Sequence, residues 1–357
     1  MDGDGILGGE VRGEDESLDE ERMRTVHLIS MKIGKGIGRE GMRWLVAAVA
    51  IAATTGGAGW RGAGAQQAVA GSQGGTEVAR PQVQPAEAGS PTDPGPRQRI
   101  GLPVPKDSKL PTLFLVGDST VRNGRGDGAG GQWGWGEPLV DDFDPAKINV
   151  VNRAIGGLSS RTYMNRPGGD PWASTLAMIK PGDVVVIQFG HNDGGVPDEP
   201  TRARASLPGV GEETLEIENP ILKVHETVHT YGWYLRKIVE DAKAKGATPI
   251  VCSLIPRKNW KDGKVVRNKD DFAGWAEQVA AQEHVGFLDL NEAIARRYDA
   301  LGEAAVEPLF GDPHTHTSRA GAELNAEVVV SCLKALKKDP VAGDFSAKGM
   351  AVAAYKE

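Results

Sequence analysis

Three short stretches of this sequence carry side chains suited to acyl transfer: Gly117-Asp118-Ser119-Thr120, Gly190-His191-Asn192-Asp193 and Gly311-Asp312-Pro313-His314-Thr315-His316-Thr317-Ser318. A serine oxygen attacks an ester carbonyl when a nearby imidazole takes its proton, and a carboxylate beside that imidazole holds the working tautomer. Ser119, Asp312 and His316 supply those groups in the chain order Ser, Asp, His. The tetrahedral intermediate also needs donors for its oxyanion, and each is worth several kcal/mol in known esterolytic sites. The Asn192 amide is one candidate, the backbone N–H of Ser119 a second, and the N–H of Gly157, in Gly156-Gly157-Leu158-Ser159, a third. Each stretch also has an ordinary reading: serines capping helices, glycines turning the chain, Asn192 bracing its own loop.

A different chemistry is spelled by His225-Glu226-Thr227-Val228-His229, a literal His-Glu-x-x-His. On a helix its histidines would share a face and could bind zinc, with Glu226 as base. Gly232 extends the match, but Leu235 stands where a third ligand is required, so no metal centre is expected. Among the few aromatics, Trp133 and Trp135 follow the Ser119 loop, and Trp133 is the candidate to stack on a sugar ring, with ordinary packing as the competing use. Arg161 is the candidate to meet a uronic acid carboxylate through paired hydrogen bonds, or else to pair with a local acid.

Such groups need a rigid frame, and hydrophobic patterning supplies one from residue 111 onward. Short bounded apolar runs predict strands at 112–117, 148–152, 183–189, 248–255 and 286–289. Helices are predicted at 172–180, 222–245, 270–284, 291–300 and 319–337. Within 222–245, Val224, Val228, Tyr231, Leu235, Ile238 and Ala242 form one apolar stripe, and Lys243-Ala244-Lys245-Gly246 closes it as helix ends prefer. Strands alternating with helices predict an α/β fold, a three-layer α/β/α sandwich with a central parallel sheet of about five strands. Ser119 then lies just past the carboxyl end of the first strand, where open parallel sheets bind ligands. The segment 194–221, with Arg202 and Arg204, reads as a long irregular insertion beside the site, of the kind that sets substrate choice.

The two ends differ from this middle. Arg43 precedes an apolar run, Trp44 to Ala53, too short to cross a bilayer and suited to a signal-peptide core. Ala63-Gly64-Ala65 and Ala68-Val69-Ala70 offer cleavage sites, and Met31 or Met42 offers an alternative start. The expected organisation is an N-terminal extension with signal peptide (1–65), a disordered linker (66–110), one catalytic domain (111–338) and a tail with little core content (339–357). Export, to the periplasm or beyond, is expected. A net charge of −7 argues against nucleic acid as a partner. Neither a stable membrane partner nor an oligomer is expected. Cys252 and Cys332 are too few for a disulfide framework; they read as buried thiols, with a single bridge between them as the alternative.

Taken together, Gly-Asp-Ser-Thr at 117–120, Gly156-Gly157-x-Ser159-x-Arg161-Thr162, Gly190-His191-Asn192-Asp193 and His316-Thr317-Ser318-x-Ala320-Gly321-Ala322 resemble the SGNH or GDSL hydrolase superfamily. Within it they resemble most the rhamnogalacturonan acetylesterase family. The runs from His225 to Leu235 and from Ile255 to Trp260 also look like bacterial members. The resemblance covers about 111–338 and implies a flavodoxin-like sheet, with Ser119, Gly157, Asn192 and His316 as the four name-giving residues. It implies a serine esterase that removes acetyl groups from an acetylated plant polysaccharide, without cofactor or metal. One departure stands out. The family usually spaces its acid and base as Asp-x-x-His, whereas Asp312 and His316 are four apart, with Pro313 where the acid is expected. Either the loop bulges by one residue or the orienting acid is weak. The same motifs also suit a xylan acetylesterase, a lipase or an arylesterase, or a carbohydrate-binding protein that lost catalysis.

Overall fold

The computed structural model describes residues 101–166 and 169–356. The expected signal peptide and the linker up to residue 100 lie outside them. In chain order the elements begin with β1 (Thr112–Gly117), β2 (Asn149–Asn152), α1 (Ser160–Met164), α2 (Pro171–Leu176) and β3 (Val184–Gln188). A hairpin of β4 (Thr214–Asn219) and β5 (Val224–His229) leads into α3 (Tyr231–Ala244) and β6 (Thr248–Cys252). After the short pair β7 (Trp260–Lys261) and β8 (Lys264–Val265) come α4 (Phe272–Gln282), β9 (Gly286–Leu288), α5 (Leu290–Leu301), α6 (Glu303–Val306), α7 (Arg319–Ala335) and α8 (Ala347–Ala351).

Five strands form one parallel sheet in the order β2-β1-β3-β6-β9. Both of its faces are covered, which is why β1 reads as an unbroken apolar run. Leu113 and Leu115 point into one layer with Val184, Val186, Ile250, Trp135 and the α5 and α7 residues Ile294, Tyr298, Val329 and Leu333. Phe114 and Val116 point into the other, with Val185, Ile187 and the α3 and α4 residues Leu235, Ile238, Val279 and Ala280. The α/β/α sandwich follows from that alternation. The chain leaves β1 for β2 on one side and returns to β3 on the other, so β1 ends at the point where the winding reverses. The loops after β2 and β3 therefore flank the loop after β1.

The structure corrects the reading of 222–245 as one helix. Its first part is β5, paired antiparallel to β4 with His225 opposite Glu218 and Glu226 opposite Ile217. A four-residue spacing such as Val224 to Val228 fits a helical stripe and equally a strand, whose period is two. Thr230 separates the elements, its side chain accepting the Trp233 N–H at 3.1 Å as the N-cap of α3. The alternation Thr214-Leu215-Glu216-Ile217-Glu218 within the supposedly irregular 194–221 was the missed strand signal. Two further stretches contribute more than expected. Leu102 is buried, and the N–H groups of Lys106 and Asp107 donate to Asn149 Oδ1 at 3.1 Å each. Val341 and Phe345 are buried in the core, and Phe345 packs against Phe143 at 5.1 Å between ring centroids. Cys252 and Cys332 are both buried and free.

Candidate active site

Ser119 stands two residues beyond β1 and is 4 % exposed. Gly117 was expected to let the chain turn; its actual constraint is space. A side chain there would meet the Gln188 carbonyl oxygen at 2.5 Å and Val121 Cγ2 at 2.6 Å. The loop beyond is fixed by a buried relay. Trp135 Nε1 donates to Gln188 Oε1 at 2.8 Å, Gln188 Nε2 to Thr120 Oγ1 at 2.7 Å, and Thr120 Oγ1 to Asp118 Oδ1 at 2.7 Å. Asp118 Oδ1 also accepts the Thr120 N–H at 2.9 Å, an Asx turn around the serine.

Asp312 and His316 approach from the loop before α7. His316 Nε2 lies 2.8 Å from Ser119 Oγ, and His316 Nδ1 lies 2.5 Å from Asp312 Oδ2. The extra residue between acid and base is absorbed by a bulge. Asp312 Oδ1 accepts three backbone N–H groups, from His314 at 3.0 Å, Thr315 at 2.6 Å and His316 at 3.0 Å. The loop thus winds around the carboxylate. Burial pushes the Asp312 carboxyl up, but those N–H groups and the His316 ring outweigh it and hold the group below its ordinary value. His314, the other histidine of the stretch, hydrogen-bonds Thr315 Oγ1 at 2.6 Å. Ser318 caps α7, accepting the Gly321 N–H at 3.4 Å.

The oxyanion candidates come from the two flanking loops. Gly157 has φ +80°, a left-handed conformation that favours glycine. Two consecutive carbonyls of its loop are clamped: Asn192 Nδ2 donates to Leu158 O at 2.9 Å and Arg204 Nη1 to Gly157 O at 3.1 Å. Among the described residues the backbone N–H groups of Ser119 and Gly157 donate to no protein acceptor. Asn192 keeps a second amide hydrogen. Asp193 ties the flanking loops together, accepting from Ser160 N at 3.0 Å, Ser160 Oγ at 2.5 Å, Gly190 N at 3.1 Å and Ser206 Oγ at 3.3 Å. Burial pushes its carboxyl up to about 7. Arg204, the relay through Gln188 and the Asp193 hub were not singled out as site residues from sequence, because each depends on at least one partner 13 or more positions away.

One expected ligand contact is corrected and a second is narrowed. Arg161 is fully buried and donates to both carboxylate oxygens of Glu226, at 2.8 and 2.6 Å, and to the carbonyls of Pro197 and Ala205. It holds the hairpin to the domain and faces no ligand. Trp133 carries the Arg319 guanidinium over its ring, 4.8 Å from the centroid, so that face is not free to stack on a sugar. Its backbone instead pins the catalytic loop: Trp133 N–H donates to Thr317 O at 2.8 Å, and Thr317 Oγ1 to Trp133 O at 2.9 Å.

The His-Glu-x-x-His stretch lies on β5, where positions four apart are about 13 Å apart along the strand. His225 points outward between Glu216 and Glu218, at 2.9 Å from each, and His229 stacks on Trp233 at 3.8 Å. Glu226, on the opposite face, is committed to Arg161. The two histidines therefore cannot converge on one ion.

The chain is similar to several known proteins. The GDSL-like Lipase/Acylhydrolase family matches residues 115–324. A rhamnogalacturonan acetylesterase of Emericella nidulans is 32 % identical over 223 residues, 62 % of this chain and 84 % of that protein. A Bacillus subtilis protein, "Probable rhamnogalacturonan acetylesterase YesY", is 30 % identical over 229 residues, 63 % of this chain and 93 % of its own. A crystal structure of Bacillus subtilis YxiM is similar at 24 % identity and TM-score 0.49, covering 63 % of this chain and 56 % of that one.

Proposed function

The chain belongs to the GDSL-like lipase/acylhydrolase family and is a carboxylic ester hydrolase, and we propose that it removes O-acetyl groups from rhamnogalacturonan through an acetyl-enzyme on Ser119. The observation that carries this reading is the continuous contact from Asp312 through His316 to Ser119, at 2.5 and 2.8 Å. His316 Nε2 takes the Ser119 hydroxyl proton as Oγ bonds to the acetyl carbonyl carbon. Asp312 keeps the other ring nitrogen protonated and offsets the imidazolium charge. The carbonyl oxygen gains negative charge, which the N–H groups of Ser119 and Gly157 and the free amide hydrogen of Asn192 are available to receive. When the tetrahedral intermediate collapses, the sugar–oxygen bond to the acetyl carbon breaks and His316 returns its proton to the leaving sugar hydroxyl. Water then attacks the acetyl-enzyme by the same route and releases acetate. The pectic substrate is favoured by two relatives that are about 30 % identical over most of their own lengths and are named for that activity.

The test is acetate release from acetylated rhamnogalacturonan and acetylated xylan side by side, with wild type and Ser119→Ala. Serine-dependent release that favours the pectic substrate supports the proposal. Equal release from both would make the protein a general sugar acetylesterase. Full activity in the folded Ser119→Ala variant would sink the mechanism.

A further inference from the structure

The hydrogen-bond relay behind the nucleophile runs in one direction, and Trp135 sets it. An indole N–H can donate and has no acceptor. Trp135 Nε1 donates to Gln188 Oε1 at 2.8 Å, so the Gln188 amide turns its oxygen toward the ring. Its nitrogen then faces Thr120 and donates to Thr120 Oγ1 at 2.7 Å. A hydroxyl carries a single hydrogen. With Gln188 as the donor, Thr120 must direct that hydrogen to Asp118 Oδ1, 2.7 Å away. All four side chains are buried.

The far end of the relay shapes the turn that holds Ser119. Among the described residues both donors to the Asp118 side chain come from Thr120: the hydroxyl, and the backbone N–H at 2.9 Å. The other oxygen, Oδ2, is buried without a partner. A buried carboxyl group depends strongly on the few donors it has. Ser119 lies between these two residues, with its Oγ 2.8 Å from His316 Nε2. The near end of the relay is rigid. Gln188 is the last residue of β3, paired with Gly117 at the end of β1, and the Trp135 N–H donates to Thr120 O at 2.9 Å.

We propose that Gln188 and Thr120 are positioning residues for ester hydrolysis: Gln188 imposes the direction of the Thr120 hydroxyl, and that hydroxyl holds Asp118 so that Ser119 presents its Oγ to His316 and its N–H to the oxyanion. The inference rests on the esterase reading of Ser119 and deepens it. Both residues act on the ester only through the Ser119 turn. That turn is felt when the tetrahedral intermediate forms, so disturbing it lowers kcat and leaves KM nearly unchanged.

The experiment measures kcat and KM for p-nitrophenyl acetate, a simple acetyl ester, in folded variants. Thr120→Val keeps the shape and removes the hydroxyl, whereas Thr120→Ser keeps the hydroxyl and removes the methyl group. Thr120→Val is expected to lower kcat by about tenfold or more with little change in KM, and Thr120→Ser to recover most of that loss. The opposite order would assign Thr120 to packing and overturn the proposal. Gln188→Glu tests the direction. An ionised carboxylate only accepts, so it draws the Thr120 hydrogen away from Asp118; a protonated carboxyl accepts from Trp135 and donates to Thr120, as the amide does. Burial raises such a carboxyl toward neutrality. The kcat of Gln188→Glu relative to wild type should therefore rise as pH falls from about 8 to about 5. A ratio that is flat or that rises with pH overturns the proposal. The Thr120 pair stands even if Gln188→Glu fails to fold. Ser119→Ala separates the two levels. Hydrolysis that persists without Ser119 removes the esterase reading and this inference with it, whereas serine-dependent hydrolysis that Thr120→Val leaves intact removes this inference alone.

Discussion

Asp312 reaches His316 across one residue more than the usual spacing because its other oxygen collects three backbone N–H groups. The same bonds that shape the loop also hold the carboxyl ionised, so the orienting acid is a full charge in spite of its irregular spacing. Replacing it with Asn preserves size but removes the charge and presents the wrong partner to Nδ1. Asp312→Asn should lower kcat by roughly 10³–10⁴ with little change in melting temperature. A loss under tenfold, measured by steady-state kinetics, would show that His316 works without it. Arg204 makes a second residue-scale case. It touches Gly157 through the carbonyl, so it positions the Gly157 loop, the proposed oxyanion loop, without contributing a donor of its own. Arg204→Gln is expected to reduce kcat about tenfold while KM moves little, the pattern of a group felt mainly in the transition state. A rise in KM at constant kcat would assign it to substrate binding instead.

At the scale of elements, the β4–β5 hairpin is held through one buried ion pair. Glu226 receives Arg161 from α1 and also Asn165 Nδ2 at 3.2 Å and Asn219 Nδ2 at 2.5 Å. Breaking a buried pair leaves an uncompensated charge, and Arg161→Ala should cost about 3–5 kcal/mol in urea unfolding. A cost below about 1 kcal/mol, the range of surface pairs, would contradict the anchoring role. The same hairpin decides the fate of the His-Glu-x-x-His stretch. Its two histidines diverge along a strand, so chelation with EDTA should leave ester hydrolysis unchanged. Activity lost to EDTA and restored by zinc would contradict that.

For the whole molecule, buried titratable groups around the site couple stability to pH. Burial pushes His191 down to about 4 from its ordinary 6.5, with nearby Asp118 opposing and Arg257 and His316 adding to the fall. The folded state therefore resists protonating His191 while the unfolded chain accepts the proton. Its contribution is present above pH 6.5 and is lost as pH falls toward 4, by up to about 1.4 kcal/mol per pH unit. Asp193, pushed up to about 7, and Glu137, pushed up to about 8 by burial, act in the opposite direction, destabilising the fold as pH rises through their values. The wild-type curve thus mixes both signs, and only a difference isolates His191. The stability of wild type relative to His191→Gln should fall between pH 7 and 4.5. A difference independent of pH would show that His191 is solvated or paired in solution.

The sequence by itself determined the sheet and the blocks that bring a serine, an acid and a histidine together. Each of the five strands shows as an apolar run because a strand covered on both faces has no polar side to interrupt it. Ser119, Asp312, His316, Gly157 and Asn192 were legible because they sit in short blocks at strand ends or before a helix, where local signals mark turns and caps. What the sequence left open was set by contacts between distant residues. A spacing of four could not separate β5 from a helix until β4 paired with it. Arg161 reads as a ligand-binding cation until Glu226, 65 positions away, is brought to it. Charge partners are a property of the tertiary structure, since Coulomb attraction depends on distance in space and not along the chain.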